Sequence, residues 1–145
     1  LEEEQAHIQK LIDENDHAID QMLAIFQSVL DHMRTVHPTA IYDLQKYYPK
    51  ARKLLDDHKG KVVFGVVVNN MELGIAQQLY REDIHCEILA GIYINAITYI
   101  VDEVQSQSSG YTFEKLYSEY ISYHLHGLVT EKGAAYLNNY KQIAK

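Results

Sequence analysis

The sequence predicts an all-α fold: one domain over residues 1–145, built as an antiparallel bundle of about six to seven helices. Three observations predict it. Apolar residues recur at spacings of three and four along most of the chain, the period of a helix with one buried stripe. No Asn-Gly or Asp-Gly hairpin signal occurs, so nothing in the chain announces paired strands. Only two prolines are present, Pro38 and Pro49, and each sits where a helix can begin.

The elements follow in order. A first helix covers about Leu1 to Asp13, with Ile8, Leu11 and Ile12 apolar, and stops at Asp13-Glu14-Asn15-Asp16. A second, about Asp16 to Val36, carries Ile19, Met22, Leu23, Phe26, Val29, Leu30 and Met33 on one stripe. His37-Pro38 breaks it, because the residue before proline is pushed out of the helical region. A short helix follows over about Thr39 to Tyr48, with Ile41, Leu44 and Tyr48 inward. Pro49 restarts the chain into a long helix, roughly Lys50 to Leu79.

The middle of that helix, Val62-Val63-Phe64-Gly65-Val66-Val67-Val68, has strand propensity. An isolated strand has no partner here, and Met71, Ile75 and Leu79 continue the stripe of Phe64, Val67 and Val68, so helix is the expectation. Tyr80-Arg81-Glu82-Asp83 links to a helix over about Ile84 to Gln105, with Asp83 placed to cap it. Ser106 to Gly110 is the most loop-like segment. Thr112 caps the next helix, which ends near Val129 and has Lys115 where a full capping box needs Glu. A last helix runs from Thr130 to about Ala144, with Ala134, Leu137 and Tyr140 apolar.

Composition narrows the function classes. A hydrophobic fraction of 47% and a charged fraction of 23% are those of an ordinary soluble globular domain. A net charge of −7 argues against a nucleic-acid surface on this segment. The densest basic group, Lys46, Lys50, Arg52 and Lys53, is interleaved with Tyr47 and Tyr48 and followed by Asp56 and Asp57, which reads as a solvated helix face. The single cysteine, Cys86, cannot close an internal disulfide and fits a reducing, cytoplasmic setting. The longest apolar stretch, Ile88 to Val101, is interrupted by Asn95 and is shorter than the roughly 20 residues that span a bilayer, so no membrane partner is expected. Leu1-Glu2-Glu3-Glu4 is acidic where a signal peptide is basic, and the chain opens in mid-helix, which implies a segment missing upstream.

The helix over Ile84 to Gln105 carries the most information. Ile88, Leu89, Ile92, Tyr93, Ile94, Ile97, Ile100 and Val101 advance about 100° per residue, so no single face holds them all. Such a helix is a central rod, or it is buried by its own domain on one side and by a partner on the other. Together with the following helix it predicts a symmetric homodimer packed as a four-helix bundle across a two-fold axis. The plain alternative is one unusually apolar core helix.

Chemistry-bearing patterns are weak. Glu4 with His7, Glu14 with His17 and Glu82 with His85 have the i, i+3 spacing of di-iron bundles, but all lie in charged helix ends. His124 and His126 stand about 200° apart on a helix and cannot share a metal. Cys86, near a helix start, is placed where a thiol pKa is mildly lowered, yet no base accompanies it. No catalytic residue, metal or cofactor is expected, and the chain is not expected to be an enzyme. Gly65 and Gly74, inside one long helix, clear room that a bound molecule can use. Twelve tyrosines without a tryptophan supply apolar bodies with polar tips, suited to a pocket or to an interface.

Four strings then carry a resemblance. Asp43-Leu44-Gln45-Lys46-Tyr47-Tyr48-Pro49 runs a short helix into a long one, and Glu72-Leu73-Gly74-Ile75-Ala76-Gln77-Gln78-Leu79-Tyr80-Arg81 resembles a "G-x-x-x-G-L-F/Y-R" exit. The doubly apolar helix follows, and Tyr123-His124-Leu125-His126-Gly127-Leu128-Val129-Thr130-Glu131-Lys132-Gly133 has the flavour of "R-G-I-x-T-x-K-G". In this order they resemble the C-terminal regulatory domain of TetR-family transcriptional regulators, with His126 in place of an arginine and Leu79 in place of a glycine.

The resemblance implies a dimeric regulator, a repressor by expectation, whose absent N-terminal helix-turn-helix binds operator DNA. A small lipophilic effector in this domain would alter that binding. The implied pocket is lined by Met22, Phe26, Leu30, Ile41, Phe64, Val67, Met71 and Tyr93. The implied interface comprises Ile94, Ile97, Val101, Tyr117, Ile121, His124, Leu125 and Leu128. A metal-dependent helical-bundle enzyme and a ligand-free helical scaffold are the competing readings.

Overall fold

The computed structural model describes residues 2–35, 43 and 46–144. Among the described residues run six helices: α1 (Glu2–Glu14), α2 (Ala18–Thr35), α3 (Pro49–Ala76), α4 (Cys86–Ser106), α5 (Phe113–Leu128) and α6 (Glu131–Ala144). The fold is all-α, as the apolar spacing predicts. The short helix expected over residues 39–48 lies largely outside the described residues, and so does Ile41.

The β-branched stretch of residues 62–68 is helical, in the middle of α3. Burial decides this against local propensity, because Val67 and Met71 are inside the core and Val63, Phe64 and Val68 pack against it. Pro49 stands in the first turn of α3, where its missing N–H costs nothing and its fixed φ suits the helix. The other end is a tight reversal. Gln78 takes a left-handed φ of 60°, and the Gly74 carbonyl accepts from both Leu79 N (2.9 Å) and Tyr80 N (3.0 Å).

The chain leaving this reversal is clamped to the α5–α6 junction. Tyr80 and Val129 form an isolated antiparallel bridge, with Arg81 N donating to the Leu128 carbonyl (2.7 Å) and Thr130 N to the Leu79 carbonyl (2.9 Å). Thr130 Oγ1 adds a bond to the Gln78 carbonyl at 2.7 Å. The Arg81 guanidinium reaches the Gly127 carbonyl at 3.0 Å. Two glycines permit this approach. A Cβ at Gly74 would overlap the Tyr80 ring, and one at Gly133 would overlap the Leu79 carbonyl. The room cleared at Gly74 is therefore filled by the chain's own Tyr80; at Gly65 the space stays open.

The same node pins the turn between α1 and α2. Gln77 accepts from Ala18 N (2.9 Å) and donates to the Asp16 carbonyl, while Asn70 donates to the Ala18 carbonyl at 2.8 Å. Tyr80 Oη donates to Asn70 Oδ1 at 2.9 Å, so this buried amide has both its ends engaged. One apolar core draws on α2, α3, α4, α5 and α6, centred on Ile19, Met22, Met71, Tyr80, Tyr117 and Leu125. α1 contributes no buried residue.

One expected cap moves. Asp83 does not cap α4; its carboxylate takes the Arg81 guanidinium at 2.9 and 3.0 Å, two residues away. His85 is the cap instead, its Nδ1 accepting from Ile88 N at 3.3 Å. Thr112 caps α5 as expected, accepting from Lys115 N at 3.1 Å.

Candidate functional site

Helix α4 has two opposite apolar faces. Ala90, Tyr93 and Ile100 are buried, and Ile97 packs half-buried beside them. On the other side Ile88, Ile92 and Tyr99 are 58%, 54% and 62% exposed. With Asn95 they follow steps of four, three and four residues, which keeps them within one narrow stripe. Asn95 turns its amide back onto the Gly91 carbonyl at 2.8 Å, which engages its donor within its own helix. Helix α5 exposes Tyr123 at 78%.

The seam between α4 and α5 is aromatic. Tyr93 Oη and Tyr117 Oη share a hydrogen bond of 3.0 Å in the interior. The Tyr117 ring packs against Phe26 of α2 and Phe113, with centroids 5.1 and 5.3 Å apart. The His124 ring lies 5.1 Å from Tyr93 and 6.0 Å from Tyr120. These separations fall in the range where ring edges and faces attract.

Burial sets the protonation of the seam. It pushes both the Tyr93 and the Tyr117 hydroxyl above the ordinary phenol value, and Tyr120 up to about 12. It pushes His124 down to about 4, so the imidazole is neutral at pH 7. His124 is 8% exposed and its Nε2 has no hydrogen-bond partner among the described residues.

The residues expected to line a pocket are placed as follows. Met22, Leu30, Val67, Met71 and Tyr93 are buried in the core, and Phe26 and Phe64 pack half-buried against it. Of the residues expected at an interface, Tyr117, Ile121, His124, Leu125 and Leu128 are buried within the protomer, and Ile94, Ile97 and Val101 are half-buried. The apolar surface that α4 and α5 leave open is a different set: Ile88, Ile92, Tyr99 and Tyr123.

Two surface cavities flank the clamp and are lined by residues outside the expected set. One of about 480 Å³ lies between His17, Gln77, Leu79, Lys132, Tyr136 and Asn139. The other, about 330 Å³, includes Ile75, Gln78, Tyr80, Arg81 and Asp83. Sequence reasoning missed Asn70 and Gln77, the two amides that knot this region. Asn70 had a legible signal, a polar residue on the inward stripe of Val67 and Met71; Gln77 had none.

The Glu-x-x-His pairs do other work. Glu4 faces His32 at 3.5 Å and Lys59 at 3.7 Å, His7 meets Ser28 at 3.0 Å, and His85 caps α4. Among the described residues no three His, Cys, Asp or Glu side chains gather to hold a metal ion. Cys86 departs from expectation: burial, followed by the charge of Glu72, raises its thiol pKa instead of lowering it. No helix of the described residues is long and apolar enough to cross a membrane. No protein-family model, curated protein or solved structure matches the chain.

Proposed function

We propose that this chain is the effector-sensing and dimerisation part of a TetR-type transcriptional repressor. Operator contacts belong, on this reading, to a helix-turn-helix preceding Leu1, and a small lipophilic ligand shifts the dimer between two arrangements. The observation that carries it is the doubly apolar α4. A helix that buries Ala90, Tyr93 and Ile100 inward and still exposes Ile88, Ile92 and Tyr99 leaves an apolar stripe open to water.

A second copy of the chain is the occupant that fits this stripe. Apolar residues at steps of three and four mesh with an identical antiparallel helix, and Tyr99 and Tyr123 add the amphipathic rings that interfaces favour. The four quoted strings support the reading too, since two of them meet at the clamp that joins Leu79-Tyr80-Arg81 to Leu128-Val129-Thr130. The interior supports a lipophilic ligand, because the α4–α5 seam is built of rings and neutral polar groups.

Sedimentation velocity at tens of micromolar tests the proposal. The chain should run as a dimer, and Ile92→Glu and Tyr99→Glu should each convert it to a monomer that keeps the helical circular dichroism and whose thermal midpoint no longer rises with concentration. A wild-type chain that sediments as a monomer across that range sinks the reading.

A further inference from the structure

We propose that the surface cavity between the α1–α2 turn, the end of α3 and α6 binds a small aromatic carboxylate, with its acid group on Lys132. The site goes beyond the effector reading and does not depend on it. The cavity holds about 480 Å³, within the size range of small-molecule sites. His17, Gln77, Leu79, Lys132, Tyr136 and Asn139 line it.

The polar groups of this lining divide into two kinds. Those of Gln77 and Tyr136 are spent on holding the wall together. The Gln77 amide accepts from Ala18 N at 2.9 Å and donates to the Asp16 carbonyl. Tyr136 Oη donates to the Asp20 carboxylate, 2.8 and 2.7 Å from its two oxygens. Lys132, His17 and Asn139 keep capacity. Lys132 Nζ donates to the Gln77 carbonyl at 3.2 Å, which uses one of the three hydrogens an ammonium carries. Among the described residues it has no carboxylate within ion-pair distance, and neither the His17 ring nitrogens nor the Asn139 amide has a hydrogen-bond partner. All three side chains are exposed, so a ligand reaches them without breaking a contact inside the protein.

Charge and shape select the class. One ammonium without a carboxylate beside it matches one negative charge. A phosphate ester brings close to two, and a chain of net charge −7 repels the excess. Asp16, Asp20 and Glu131 stand outside the lining, and the Tyr136 hydroxyl already sits on Asp20. The walls select the body of the ligand. The His17 and Tyr136 rings are neighbours, with centroids 5.5 Å apart and planes tilted by 43°, and Leu79 adds apolar surface. A flat ring packs on such walls, while its carboxylate takes a charge-assisted bond from Lys132 and a neutral one from the Asn139 amide. A molecule seated there touches three segments at once and ties α6 to the α1–α2 turn.

Benzoate and benzamide, alike in shape and different in charge, are the probes, with phenyl phosphate as the doubly charged comparison. Nitrogen-15 NMR of the chain at about pH 7 reads the Asn139 side-chain amide and the backbone amides of residues 132–139. Benzoate should shift these signals saturably, in the millimolar range that suits so small a ligand. Benzamide and phenyl phosphate should each bind at least about fivefold more weakly. Lys132→Met, which keeps an aliphatic stem and removes the charge, should weaken benzoate by at least about fivefold too. Lys115→Met, on α5 and outside the lining, should leave benzoate affinity unchanged.

No saturable shift up to about 20 mM benzoate overturns the site. Benzamide binding as tightly as benzoate, or unweakened benzoate in Lys132→Met, overturns the anchor. Phenyl phosphate binding as tightly as benzoate overturns the single charge. Equal weakening in Lys115→Met reduces the effect to general attraction by surface charge and overturns the site as well. Should Lys132→Met fail to fold, the benzamide comparison decides the anchor. Sedimentation of the same samples keeps this result apart from the dimer. A dimer without a benzoate shift overturns only the cavity, and a monomer with one upholds the cavity while the dimeric regulator falls.

Discussion

Gly74 and Gly65 lie on one helix and cost it the same backbone entropy, yet their surroundings differ. A methyl group at Gly74 meets the Tyr80 ring, and one at Gly65 meets nothing within 4 Å. Gly74→Ala should therefore destabilise the chain by about 1–3 kcal/mol, the usual cost of overpacking. Gly65→Ala should stabilise it by about 0.5–1 kcal/mol, because alanine suits a helix interior better. Urea unfolding checks both, and a loss of stability in Gly65→Ala would contradict the open space seen there.

His124 makes a second prediction at this scale. Its pKa falls from the ordinary 6.5 to about 4 in the folded chain, so the unfolded chain binds the proton more tightly. Stability from this group is complete above about pH 6.5, drains away as pH drops toward about 4, and is flat below. The drop amounts to about 3 kcal/mol, and His124→Phe should remove that part of the pH dependence of unfolding.

At the scale of elements, α1 stands apart. It has no buried residue, and apart from Gln21 Nε2 on the Ile12 carbonyl its side-chain ties to α2 and α3 are surface contacts: Gln5 with His58, His7 with Ser28, and Glu4 with His32 and Lys59. Such contacts contribute little each. Amide exchange along residues 5–13 should be at least about tenfold faster than along residues 19–30, whose side chains enter the core. Equal protection in the two helices would show that α1 is held by more than these contacts.

Helix positions were legible because burial imposes its period on the sequence. The stripe from Ile19 to Leu30 marks α2, and Pro49 marks the start of α3. Caps were less legible. Asp83 and His85 both stand before α4, and only geometry reveals that Arg81 claims the carboxylate and leaves the imidazole to the helix. The site was less legible still. Periodicity says that α4 has two apolar faces; it does not say which one its own domain takes. Tyr117, Ile121 and Leu125 of α5, which the resemblance implies at an interface, are buried within the protomer.

At the scale of the whole molecule, polar groups cross-link what the apolar core only gathers. Tyr80 spans both systems, with its ring over Gly74 and its hydroxyl on Asn70. Tyr80→Phe keeps the ring and strands Asn70 Oδ1, so it should cost about 1–3 kcal/mol in urea unfolding. An unchanged midpoint would mean that the bond adds nothing beyond the packing.

The bridge between Tyr80 and Val129 has one more consequence. The two ends of residues 82–127 are joined at one point, by Arg81 N on the Leu128 carbonyl and Thr130 N on the Leu79 carbonyl. The loop closed there carries the outward stripe of α4 and Tyr123, and it also supplies Ala90, Tyr93, Tyr117 and Ile121 to the core. A change anywhere along that loop therefore acts on the interior and on the outward surface together. The outward stripe of α4 is thus bound, within one uninterrupted stretch of sequence, to the core residues behind it.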